Sequence, residues 1–393
     1  MSEAEVYKKE NQRVSASEVL QSIAGGMEIK LSGCTISGSL DINRLFVKDE
    51  NFDTKKVVTR TEDSKTVVTL AQLVSFNRCT FEGDVCFSSP WEKPGELEVV
   101  FKRDVVFNSS AFCGQTRFSG SIFRGLAGFD GCTFERVAAF REVYFHSRSM
   151  FRTVYFNGYA LLGGSIFRKE ARFTNSCFGK GGNFSGIVFE EAADFSGVHS
   201  QSKSVPIYDS VKFCRSSFGD GESFWRFIKQ ACQEAGHYHH AGEAFYNERC
   251  THFWRQLRGT DYSSLSSFGK FFRLLKGVRL VPEFVFGRLL FGFGERPTRI
   301  LLASAFIILA CGLFYSNGDL AEVVQRGAPA NVEMSFLDGL YLSTTTFTTL
   351  GPGDIYPDRE HGLTRVVFIF EAISGAFLMA LFVVALAKRF SRG

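Results

Sequence analysis

The strongest pattern along this chain is a phenylalanine at every eleventh position. Phe107, Phe118, Phe129, Phe140, Phe151, Phe173, Phe184 and Phe195 form one series, and Leu162 takes the one missing place. Phe112, Phe123, Phe134, Phe145, Phe156, Phe167, Phe178 and Phe189 form a second. The two interleave at steps of five and six. Such steps advance by about 140° and 240° on a helical wheel, so no helix face collects them. An odd step also breaks the two-residue alternation of a strand. A coil with one inward bulky residue per side accounts for both steps. Each side is then a strand of two or three residues and a turn, and four sides make about 22 residues per coil. Phe76, Phe81 and Phe87 keep the rhythm before the main run, and Phe213, Phe218 and Phe224 keep it afterwards. These fragments bound a coiled stack at 72–224, from which Ser88–Val100 and Val198–Val211 leave as loops.

Other patterns flank the stack. Val14–Ile23 reads as a short helix, with Ser15 and Glu18 spaced for a capping box. Met27–Leu45 alternates as strand and turn, so 1–71 is expected to cap the stack or form its first coil. The spacing of Phe224, Phe227, Ile228, Ala231, Cys232 and Ala235 is helical. Gly236 ends that helix and Ala241–Leu257 predicts a second, giving a helical hairpin over 225–262. The basic, aromatic segment 263–299 has no apolar run long enough to span a membrane. It reads as a helix on the cytosolic membrane surface, with a buried linker helix as the alternative. Two segments are long and apolar enough to cross: about 298–316 and 363–387. Between them, 335–347 predicts a helix too short to cross.

Composition adds limits. A net charge of +4 over 393 residues does not call for a nucleic-acid partner. The stack from Phe76 to Ser200 holds 14 Lys or Arg against 13 Asp or Glu, so it is no acidic rod. The ten cysteines lie without metal-like spacing and read as reduced thiols. No nucleophile–base pairing or phosphate-cradling loop appears, so an enzyme is not expected, and neither is a cofactor. The polar start of the chain has no apolar signal core. Basic residues flank the outer ends of both spans, which predicts cytoplasmic termini in a cell or inner membrane. His237, His239 and His240 cluster at the hairpin turn near Cys232. They read as exposed polar turn residues, with a transition-metal or pH sensor as the alternative.

The chemistry concentrates in Thr344–Pro357, TTTFTTLGPGDIYP. Two glycines one residue apart let the backbone take positive φ at alternate positions, so successive carbonyls can face one axis. This stretch resembles the pore loop of the tetrameric potassium-channel family, whose T-x-G-[YF]-G-D signature reads Thr349-Leu350-Gly351-Pro352-Gly353-Asp354 here. The resemblance implies a filter of Thr349, Leu350, Gly351, Pro352 and Gly353 with Asp354 at its mouth. Thr345, Thr346 and Thr348 then belong to the pore helix. It also implies four chains around one pore, with K+, or else Na+, as the permeant ion. Pro352 replaces the family's aromatic, so pore function is better supported here than potassium selectivity. Gly375 lies near the family's inner-helix hinge, and close helix packing is its other reading. Met379, Val383 and Ala387 follow at helical spacing as pore-lining candidates. Glu371, a carboxylate within the second span, reads as a structural anchor, with titration in gating as the alternative. Asp358 is either a second mouth acid or ordinary loop solvation.

The stack resembles pentapeptide-repeat proteins, which form a right-handed quadrilateral β-helix; the sixth residue at every second step departs from a strict repeat. The expected fold is therefore multidomain: a cytosolic parallel β-helix, a helical linker and an all-α two-span pore domain over 300–393. The β-helix would serve in gating or bind a cytosolic ligand or protein. A pore conducting cations without selectivity is the first alternative, and a membrane-anchored interaction module with a vestigial pore is the second.

Overall fold

Most strands of the N-terminal unit are two residues long, the length that the five-and-six step demands. The computed structural model describes residues 5–47, 52–54, 56–60, 66–90, 95–203, 205–214, 220–258, 265–316, 321–325, 328–330, 335–351, 355–357 and 362–390. It divides into two units, Met1–Leu274 and Leu275–Gly393.

In the first unit, parallel strands line up as four sheets, one per side of a β-helix. One sheet pairs Val105 with Ala127, Ala127 with Ser149, Ser149 with Ala171 and Ala171 with Ala193, a step of 22 residues per coil. The two phenylalanine series occupy alternate sides. Phe112, Phe123, Phe134 and Phe145 close their strands, whereas Phe107 and Phe118 directly follow theirs. All point into the core and are buried. Rings one coil apart stack almost parallel: Phe107, Phe129, Phe151, Phe173 and Phe195 follow one another at centroid distances of 4.7 to 5.4 Å. Neighbouring columns meet edge to face, as at Phe129 and Phe140. Aromatic pairs favour both arrangements over a sandwich without offset.

The turns carry a third eleven-residue series. Ser109, Gly120, Gly131, Glu142, Thr153, Gly164, Asn175, Gly186 and Gly197 all have positive φ. Glycine adopts this conformation without penalty, which explains its share of the series. One residue further on, small side chains enter the core. Ser110 Oγ donates to the Phe76 carbonyl at 3.1 Å and Ser121 Oγ to the Phe87 carbonyl at 2.6 Å, while Ser165 and Ser176 bond Phe140 and Phe151 in the same way. These hydroxyls satisfy carbonyls that the coils leave inside.

The stack begins earlier than Gln72. Val6–Glu10 already pairs with Glu28–Ser32, which pairs in turn with Val74–Asn77, so the parallel sheets run from Val6 to Phe213. Helix α1, Ala16–Ala24, buries Val19, Leu20 and Ile23 in the same core. The capping box expected there does not form. Ser15 accepts instead from Ser17 N at 3.2 Å, and Glu18 is taken by the Tyr7 hydroxyl at 2.9 Å. Of the loops read from the sequence, Leu97–Phe101 returns to the sheets as a strand, and so does His199–Ser200. Helix α2, Asp220–Glu234, closes the other end: Phe224 meets Phe195 at 5.0 Å and Phe227 meets Phe178 at 5.5 Å. It forms the expected hairpin with α3, Tyr238–Arg258, through a turn in which Gly236 has φ 76°. Seven of the ten cysteines are buried. Burial pushes the Cys79 thiol up to about 11 and the Cys132 thiol up to about 12, which makes both inert.

The linker is not one helix. It breaks into α4, Ser267–Lys276, a 3-10 turn at Gly277–Leu280, a π-helical segment at Glu283–Leu290 and a second 3-10 turn at Gly292–Gly294. Pro282 has no N–H to continue a ladder, and Gly292, Phe293 and Gly294 all take positive φ. Phe268, Phe271, Leu275, Val278, Phe286 and Leu289 are exposed along it.

The second unit is built on α5, Pro297–Tyr315, α6, Phe336–Phe347, and α7, Gly362–Phe390. Helices α5 and α7 are long and apolar enough to cross a membrane, with 19 residues and 27 residues in the qualifying stretches. After α5, Ala321–Gln325 pairs antiparallel with Ala328–Ala330 and with Ile355–Pro357.

Candidate pore site

Helix α6 starts on a full capping box. Ser335 Oγ accepts from Asp338 N at 3.3 Å, and the Asp338 carboxylate accepts from Ser335 N at 3.0 Å. The helix ends after twelve residues in a threonine run. Thr344 donates to the Leu340 carbonyl at 2.8 Å, Thr345 to the Tyr341 carbonyl at 3.0 Å and Thr348 to the Thr344 carbonyl at 2.7 Å. The Thr346 hydroxyl is buried without a hydrogen-bond partner among the described residues. The exit is a Schellman turn: Leu350 N donates to the Thr345 carbonyl and Thr349 N to the Thr346 carbonyl, both at 3.1 Å. Positive φ therefore falls at Thr349, at 57°, and at Gly351, at 84°. Positive φ thus begins two residues before the first glycine of the pair, on a threonine. Leu350 is 80% exposed. Pro352, Gly353 and Asp354 lie outside the described residues, as does Asp358.

Three glycines seat α6 between the spans. A Cβ on Gly339 would strike the Gly312 carbonyl of α5, and one on Gly312 would come within 3.2 Å of Leu340 Cα. A Cβ on Gly375 of α7 would strike the Phe347 carbonyl at the last turn of α6. Small residues permit such backbone approach between helices in a membrane. Gly375 was read from the sequence as hinge or packing residue, and its contact is with the backbone of α6. Gly312 and Gly339 escaped that reading, because a lone glycine in an apolar helix carries no signal of what it faces.

A polar tie crosses the same three helices. Glu371 is fully buried, and its Oε2 accepts from the Tyr315 hydroxyl at 3.0 Å. Its Oε1 is bonded to Ser343 Oγ, which also lies 2.9 Å from the Ile308 carbonyl. Tyr315 and Ser343 are likewise fully buried. Glu371 thus faces the interior of its own chain. Of the other second-span candidates, Met379 is half-buried beside Ile300 and Phe347, whereas Val383 and Ala387 are exposed. At the end of α7, Lys388 Nζ donates to the Phe293 carbonyl at 2.8 Å and pairs with Glu295 at 2.9 Å.

The histidines of the hairpin turn gather only in part. Ligand atoms of His239, His240 and Glu243 lie within 4.8 Å of one another, all three residues exposed. The Tyr208 hydroxyl is 3.2 Å from His240 Nδ1.

Residues 300–392 match the family model described as "Ion channel", and residues 76–133 match the one described as "Pentapeptide repeats (9 copies)". No curated protein and no solved structure matches the chain. The first match covers α5, α6 and α7, and the second falls on coils of the β-helix. Residues 300–392 thus form a domain of the two-span, potassium-channel-like ion channel kind, and the β-helix that precedes it in sequence carries pentapeptide repeats.

Proposed function

We propose that four copies of this chain assemble around one central pore and conduct potassium across the cell membrane, with both termini in the cytoplasm. The observation that carries this reading is the end of α6. It delivers a threonine-rich segment into a turn with positive φ at Thr349 and Gly351, and leaves Leu350 exposed. One chain supplies a quarter of a ring of carbonyl ligands, so the arrangement has no use without symmetric copies. Thr349, Leu350, Gly351, Pro352 and Gly353 would line the filter and Asp354 its mouth. Helix α6 would turn the negative end of its dipole toward the cation. Val383 and Ala387, exposed on the single chain, would face the lower pore with Met379. Gly375 would be the point about which the inner helix bends. The β-helix would act in gating or hold a cytosolic partner.

A second reading keeps the architecture and drops the selectivity. Proline at 352 lacks both the N–H and the aromatic ring that would hold a filter at fixed diameter. The reversal potential of the purified protein in a bilayer, under opposed potassium and sodium gradients, separates the two. A value near the potassium equilibrium potential supports selectivity, and a value near zero with clear current supports the alternative. Pro352→Tyr should then shift a near-zero value toward the potassium potential.

A further inference from the structure

We propose that Glu371 carries a proton, and that in this neutral form it is the positioning residue that holds the pore helix to both spans. The inference deepens the pore reading and rests on it for its functional meaning. The argument is a count of hydrogens. Ser343 Oγ touches two oxygens, Glu371 Oε1 and the Ile308 carbonyl, the latter at 2.9 Å. A serine hydroxyl has one proton to donate, and a carbonyl can only accept. An ionised carboxylate can only accept as well. With Glu371 ionised, one of the two contacts would set acceptor against acceptor in a site closed to water. With Glu371 protonated, every group is matched. Oε1–H donates to Ser343 Oγ, the Ser343 hydroxyl donates to the Ile308 carbonyl, and the Tyr315 hydroxyl donates to Oε2 at 3.0 Å.

The surroundings agree. Glu371, Ser343 and Tyr315 are all fully buried, and Leu342 and Ile355 pack beside Tyr315. Among the described residues, the titratable groups facing the carboxyl are Tyr315 and Cys311, which are neutral near pH 7 and offer no positive charge. A carboxylate without a cation inside an apolar span is expensive, whereas the acid form is not. The relay joins α5, α6 and α7 in one chain of donors. Ser343 lies two turns before Thr349, so its tether sets where the threonine run ends.

Infrared difference spectroscopy on the full-length protein in lipid, wild type minus Glu371→Gln near neutral pH, tests the protonation directly. A carboxylic-acid carbonyl band present in wild type and lost in the variant is expected; no such band overturns the proposal. Glutamine reproduces the acid form, since its amide N–H donates where Oε1–H does and its oxygen accepts from Tyr315. Glu371→Gln should therefore unfold at the wild-type rate, whereas Glu371→Ala and Ser343→Ala should each unfold roughly tenfold faster for the loss of buried partners. Equal loss in Glu371→Gln and Glu371→Ala overturns the neutral relay. Neither readout depends on ion selectivity or subunit number, so failure here is distinguishable from failure of the pore reading.

Discussion

Gly375→Ala is the sharpest single perturbation of the pore domain. The new methyl would meet the Phe347 carbonyl head on, with Phe347 C at 2.8 Å and Phe347 Cα at 3.0 Å. All three atoms are backbone, so no side chain can swing away. Relief requires the last turn of α6 and the middle of α7 to part by several tenths of an ångström or more. Inserting a methylene-sized group into a close-packed contact costs about 1–3 kcal/mol. Alanine returns up to about 1 kcal/mol through its better helix propensity. The balance is a loss on the order of 1–2 kcal/mol, a factor of roughly 5–30 in the folded ratio.

Thermal unfolding of the full-length protein in lipid or detergent reads the stability, and single-channel recording reads the consequence. Separation at Phe347 displaces Thr348 to Leu350, so conductance should fall together with the melting temperature. A hinge with no packing role predicts something else: unchanged melting and an altered open probability. An alanine variant with wild-type melting and wild-type conductance would refute the close-approach argument outright.

Two further substitutions probe each unit. Phe151→Ala removes a fully buried ring stacked at 5.0 Å on Phe129 and 4.9 Å on Phe173, and should cost about 3–5 kcal/mol in denaturant unfolding of the β-helix transition. A loss below about 1 kcal/mol would mean that the column closes over the gap, contrary to close packing of such cores. Lys388→Met deletes the bonds to the Phe293 carbonyl and to Glu295, leaving that carboxylate without one of its partners. It should lower stability by about 1–3 kcal/mol and change open probability, because it frees the end of α7 from the turn before α5. Unaltered gating in single-channel records would separate this contact from the gate.

What the sequence made legible has a physical pattern. The β-helix announced itself because each coil repeats the last at a fixed step, so one inward residue type recurs on every side. Its first coils were harder to see, since Ile29, Leu31, Ile36 and Leu40 fill the core there in place of phenylalanine. The spans were legible from length and apolarity, and the short helix from its end in the threonine run. The tie at Glu371 was legible in one member only. Its partners Tyr315 and Ser343 lie 56 and 28 residues away, and a tyrosine or serine in an apolar helix looks the same whether bonded or not. The linker misled because its apolar content suited a helix, while Pro282 and the positive φ at Gly292, Phe293 and Gly294 broke it.

Thr349 joins the folding argument to the chemical one. It occupies the position after the α6 cap where helices that end in this turn usually place glycine, and it does so at φ 57° with a branched β-carbon. Left-handed backbone costs a non-glycine residue about 1–2 kcal/mol. The two hydrogen bonds of the turn, both at 3.1 Å, hold the conformation. Thr349→Gly should therefore stabilise the turn, by at most about 1 kcal/mol once the extra freedom of glycine in the unfolded chain is subtracted. If the hydroxyl is an ion ligand, that variant gains stability and loses discrimination between potassium and sodium, while Thr349→Ser keeps the discrimination. Such opposed effects of one substitution are the mark of strain kept for function. An unchanged reversal potential in Thr349→Gly would remove the hydroxyl from the filter and leave the threonine without a reason to be there.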